Sequence, residues 1–166
     1  MVDEVAVTLK GGKEGGEPEV RQVLKKIEGA ANTVIREKLG PVMPGQSLAE
    51  NRRDTCYLND NIAEILNREG MGLILAWSNS TGRNLSGEYC EEVPHQHGVI
   101  LVEVPGSNKL IVTDISGAQF AAVNSEIGEK ELVTVVCEKG EEETVLQNLY
   151  GGGDWNLEIW KRGSGK

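Results

Sequence analysis

The 166 residues carry 17 Lys and Arg against 26 Asp and Glu, a formal net charge of −9 that repels phosphate backbones and argues against a nucleic-acid partner. Apolar residues make up 39% and charged residues 26%, close to globular norms, so one ordinary domain with a core independent of disulfides is expected. The 3 cysteines, Cys56, Cys90 and Cys137, are an odd number in a chain of this length, which disfavours a disulfide framework and suggests a reducing compartment.

The first residues, MVDEVAVTLKGGKEGGEP, have neither a basic start nor an apolar run, so no signal peptide is expected. No apolar stretch approaches bilayer length, and no membrane partner is expected. The Gly-rich, charged residues 1–17 read as a flexible N-terminal segment or linker, 18–162 as the folded domain, and Gly163-Ser164-Gly165-Lys166 as a flexible tail.

Pro18 suits the first turn of a helix in which Val20, Val23, Leu24, Ile27, Ala31, Val34 and Ile35 recur at three- and four-residue steps, until Gly40-Pro41 ends it. A loop is expected from Pro41 to Glu50. The segment DTCYLNDNIAEILNREG then reads as a helix with Leu58, Ile62, Ile65 and Leu66 on one face, Asp54 or Thr55 as its cap, and Gly70 as its stop. LILAW at 73–77 reads as a short buried strand, followed by a polar loop from Ser78 to His95. GVILVEV, PGSN and KLIVTDI form a strand, a tight turn and a strand. ELVTVVCE is a further strand, EEETVLQNL a short helix with acids at its start, and WNLEIWKR a last strand. Helices first and an antiparallel sheet second describe an α+β fold, N-terminal helices packed on an antiparallel β-sheet. Trp155 and Trp160 fit poorly on one face and are expected on opposite sides.

Cys56 falls at the first turn of the second helix, where unpaired N–H groups and the helix dipole favour a thiolate. Its bland reading is a small core side chain. His97 opens the strand GVILVEV, so its side chain can reach from the end of the sheet toward a helix terminus. His95 competes from deeper in the loop. Asp114 interrupts an apolar strand near its end, where a carboxylate is costly unless paired. If the hairpin turns at PGSN, Gly98 to Val104 lies beside Lys109 to Ile115, and His97 and Asp114 share one end. Asp114 can then orient His97 toward Cys56, or it can cap the turn at Ile115-Ser116-Gly117.

The segments around Cys56, HGVILVEV and LIVTDISGAQF resemble, over roughly residues 50–120, the papain-fold toxin domains of bacterial polymorphic toxins and injected effectors. In these a Cys opens a helix, a His precedes an apolar strand and an Asp follows in a V-D-x-x-x-G-like phrase. The resemblance implies a papain-like cysteine hydrolase, a protease or glutamine deamidase with a catalytic triad, acting on amides of a protein substrate. It implies Cys56 as nucleophile, His97 as base and acid, and Asp114 as orienter. It also implies action in a cytosol, after delivery as part of a secreted toxin or effector, and an immunity or activating protein as partner. The oxyanion-hole residue of the pattern has no clear counterpart; Gln46 and Asn51, both upstream of Cys56, are the candidates. Water as acyl acceptor gives hydrolysis, and an amine gives transglutamination. No cofactor or metal is called for.

Two rival readings remain open. Cys90, His95, His97 and Cys137 offer zinc-type ligands, but C-x-x-C is absent. A non-enzymatic acidic binding module, of immunity or adaptor type, would use Glu88 to Glu92 and the GEEE run from Gly140 toward a basic partner. Gly151-Gly152-Gly153 lacks the Lys-Ser/Thr and helix of a phosphate loop.

Overall fold

A computed structural model describes residues 17–53, 55–81, 95–120, 124, 126–128, 130–151 and 154–162, the side chains of 79–81 and 95–96 excepted. The helices are α1 (Pro18–Lys38), α2 (Leu48–Asn51), α3 (Leu58–Arg68) and α4 (Glu142–Tyr150). The strands are β1 (Leu73–Thr81), β2 (His95–Glu103), β3 (Lys109–Asp114), β4 (Val133–Glu138) and β5 (Asn156–Ile159), and a 3-10 turn covers Gly117–Phe120. The strands form one antiparallel sheet in the order β4-β3-β2-β1-β5. The fold is therefore α+β, with a C-terminal helix as well as N-terminal ones.

Period-two alternation divides the core between the two faces of the sheet. On one face Leu73, Leu75, Ile100, Val102 and Ile111 pack with Val23, Ile27, Ala31 and Val34 of α1 and Leu58, Ile62 and Leu66 of α3. On the other face Ala76, Val99, Leu101, Leu110, Val112, Val133 and Val135 pack with Val145, Leu146, Leu149 and Tyr150 of α4 and with Phe120. Trp160 joins the first cluster and Trp155 the second, on opposite sides as their spacing suggested. No helix among the described residues is long and apolar enough to cross a membrane.

The hairpin has the expected register. Glu103 pairs with Leu110 and the ladder runs to Ile100 opposite Thr113. Gly106, at φ 74°, makes the positive-φ turn between the strands. β1 continues on the other side of β2 through Ser78 opposite His97 and, past a register shift, Thr81 opposite His95. At the start of β2, then, the ladder to β3 has ended while that to β1 persists.

Local structure departs from the sequence expectation in four places. The loop between Pro41 and Glu50 contains the start of α2, fixed by a capping box: Glu50 N donates to Ser47 Oγ at 3.1 Å and Ser47 N to Glu50 Oε1 at 3.3 Å. Such a box stabilises a single turn without an apolar periodicity to announce it. The strand beginning with LILAW extends to Thr81, and β2 begins at His95, which shortens the loop expected from Ser78 to His95; 82–94 lie outside the described residues. Thr55 does not cap α3, because its hydroxyl donates to Arg52 O at 2.6 Å. Asp54 lies outside the described residues, as do 1–16 and 163–166. Glu17, expected in the N-terminal segment, is the N-cap position of α1.

Candidate active site

β2 and β3 supply the centre of the site. Val99 and Leu101 face α4, and the same alternation places His97 on that face; Leu110 and Val112 do the same for Asp114. Both side chains are completely buried, and His97 Nε2 meets Asp114 Oδ2 at 2.8 Å. A buried charge requires this kind of partnership, and Asp114 has several donors. Tyr150 OH donates to Oδ2 at 2.7 Å, while Asn59 Nδ2, Ser116 N and Ser116 Oγ donate to Oδ1 at 2.9, 2.9 and 2.8 Å. Asp114 thus pairs with His97 and also caps the turn that follows β3.

These contacts govern the charge state. Burial pushes the Asp114 carboxyl up, but the His97 charge and the bonds from His97, Asn59 and Tyr150 outweigh it and hold the group at about 2. Burial pushes His97 down, yet the Asp114 carboxylate and hydrogen bond, with a smaller contribution from Cys56, raise it to about 9. The pair therefore rests as imidazolium and carboxylate. Burial first, and the Asp114 charge second, push the Tyr150 hydroxyl well above its ordinary range, so it stays a donor. Phe120 and Tyr150 wall the imidazole, with ring centroids at 4.5 and 4.7 Å.

Cys56 lies in the turn that enters α3. Leu58 N, Asn59 N and Asp60 N donate three residues back, to Thr55, Cys56 and Tyr57 carbonyls at 2.9, 3.0 and 3.1 Å, so the helix starts from tight 3-10-like turns. The thiol is free and half-buried. It is close enough to His97 to add a small push toward the protonated ring. Among the described residues, His97 Nδ1 is buried without a hydrogen-bond partner. With Asp114 on Nε2, the nitrogen remaining for chemistry is Nδ1, the reverse of the Ser-His-Asp template.

The oxyanion candidates occupy different settings. Gln46 sits in a turn ahead of α2, and its Oε1 accepts from Met43 N at 3.0 Å. Asn51 ends α2, the helix that rests on the 3-10 turn bearing Phe120, and its Oδ1 accepts from Arg52 Nη1. Arg52 itself is 2% exposed and donates through Nε to Ile115 O at 3.0 Å, with Glu131 at 3.8 Å from Nη2. It fastens the chain ahead of Cys56 to the residue after Asp114.

His95 pairs through its backbone with Thr81 at the start of β2; its side chain and Cys90 lie outside the described residues. Cys137 is buried on β4, where burial foremost, and then Glu142 and Glu141, push its thiol up to about 12. Among the described residues no group of three or more His, Cys, Asp or Glu side chains gathers to hold a metal.

Sequence reasoning passed over Asn59, Ser116, Tyr150 and Arg52. Asn59 had one signal, a polar residue beside Leu58 and one turn after Cys56, but its contacts are long-range. Tyr150 closes a helix distant in sequence, and nothing local marks its hydroxyl. No protein-family model, curated protein or solved structure matches the chain.

Proposed function

We propose that this chain is a cysteine-dependent hydrolase acting on amide bonds of a protein substrate, a papain-like deamidase or protease of the bacterial toxin or effector type that works in the cytosol of its target. The observation that supports this reading is the buried His97–Asp114 pair, which leaves Nδ1 as the second ring nitrogen, together with a half-buried Cys56 thiol near enough to influence the His97 charge.

Chemistry follows from that arrangement. In this reading the Cys56 sulfur is the nucleophile and His97 is the acid and base that serves it. Thiolate attack forms a C–S bond and moves the carbonyl electron pair onto oxygen, where the Cys56 N–H and the side-chain amide of Gln46 or Asn51 are the candidate donors. Collapse of that intermediate breaks the C–N bond, and His97 Nδ1–H protonates the departing ammonia or amine. Neutral His97 then takes a proton from water as its oxygen attacks the thioester carbon; collapse breaks the C–S bond and releases the acid and the Cys56 thiolate, with His97 again imidazolium. Asp114 keeps the ring oriented throughout.

The test incubates candidate target proteins with wild type and Cys56→Ala and reads them by mass spectrometry. A gain of about one dalton at a glutamine, dependent on Cys56, marks deamidation, and Cys56-dependent fragments mark proteolysis. Stable complexes formed equally by the two proteins, without covalent change, support an acidic binding module instead.

A further inference from the structure

The β2–β3 ladder is missing a rung at the site. Pairing stops at Ile100 opposite Thr113, and in the same register the next pair of like orientation is Gly98 opposite Ile115. Asn59 fills the gap. Its Nδ2 donates to Gly98 O at 2.9 Å, and its Oδ1 accepts from Ile115 N at 2.8 Å. A primary amide carries the donor and acceptor of a peptide group, so its side chain stands in for a strand segment between the separated strands. The second Nδ2 hydrogen goes to Asp114 Oδ1 at 2.9 Å. The side chain is 2% exposed, and water is poorly placed to replace it. Through its backbone, Asn59 N donates to Cys56 O at 3.0 Å.

We propose that Asn59 is a positioning residue that locks the Cys56 turn in register with the His97–Asp114 pair by bridging the open end of the β2–β3 ladder. The proposal rests on the reading in which Cys56 and His97 act together. Other side chains fail for stated reasons. An ionised Asp has no donor for Gly98 O and sets a second carboxylate against Asp114, Leu leaves both backbone groups unpaired, and Gln is one methylene too long for the gap.

The test uses the intact chain with Asn59→Ala, and Asn59→Ser as a variant that keeps one hydroxyl. Cys56 alkylation by iodoacetamide is followed across pH by peptide mass spectrometry, and the His97 ring is titrated by NMR with and without Cys56→Ala. In wild type, Cys56→Ala shifts the His97 titration. In Asn59→Ala that shift disappears and Cys56 alkylation at about pH 6 falls about tenfold or more, with partial recovery in Asn59→Ser. An Asn59→Ala protein with wild-type circular dichroism, alkylation profile and His97 shift overturns the proposal and leaves the hydrolase reading intact. A wild-type Cys56 that alkylates no faster than an ordinary thiol, alongside a His97 shift that needs Asn59, sinks the hydrolase reading and upholds the clamp. A His97 titration indifferent to Cys56 in wild type overturns the clamp too. If Asn59→Ala does not fold, Asn59→Ser decides by the same readings.

Discussion

His97 Nε2 and Asp114 Oδ2 lie 2.8 Å apart at the splayed end of the β2–β3 hairpin, and neither side chain reaches solvent. Two charges in that setting are tolerable only together, since each is the main favourable influence on the ionised form of the other.

The pair gives stability a pH window. His97 is raised from 6.5 to about 9, so its contribution is fully present below 6.5 and is lost as pH rises through about 9. Asp114 is lowered from 3.8 to about 2, so its contribution is present above 3.8 and is lost as pH falls through about 2. Urea midpoints are expected to be highest between these limits and to fall on both sides. In Asp114→Asn the alkaline decline flattens; a decline as steep as wild type would assign it to other groups.

Truncating one member is worse than neutralising it. Asp114→Ala strands the imidazole and the donors of Tyr150, Asn59 and Ser116, and is expected to cost about 3–5 kcal/mol by urea unfolding. Asp114→Asn retains an acceptor for some of these donors and is expected to cost less.

Tyr150→Phe keeps the ring against His97 but removes the hydroxyl 2.7 Å from Asp114 Oδ2. A hydrogen bond to a charged group is worth about 1.5–3 kcal/mol, which sets the expected loss. Because that bond helps hold the carboxyl low, the acid unfolding midpoint should move to higher pH.

Gly117 has no room for a side chain. A Cβ there would stand 2.5 Å from Val133 Cγ2 and 3.2 Å from Asp114 Oδ2. Gly117→Ala is expected to destabilise by about 1–3 kcal/mol through overpacking, measured by thermal or urea denaturation. Since the strain falls beside Asp114, the His97 ring resonances should shift in the same variant.

The thiols should differ sharply in reactivity. Cys137 is buried with its thiol pushed up to about 12, and it should resist a thiol reagent at neutral pH until the protein unfolds. Cys56 is half-buried and should be modified in the native state. Rapid native labelling of Cys137, read by peptide mapping, would show that the β4 face opens far below the global transition.

The sequence by itself carries the periodic elements and one decisive register. Alternation in GVILVEV and KLIVTDI, with a turn at PGSN between them, fixes which residues lie opposite one another, and this alone brings His97 and Asp114 to one end of the hairpin. Apolar steps of three and four place α1 and α3 for the same reason, that a regular backbone repeats its exposure pattern. The capping box of α2 is as local as these, but it is too short to leave a periodic trace. Only the tertiary structure decides how Cys56 approaches His97, because that depends on α3 meeting the sheet where β2 and β3 part. Asn59, Arg52 and Tyr150 make that meeting by hydrogen bonds to groups dozens of residues away. Such bonds are set by the packing of whole elements and leave no period in the chain.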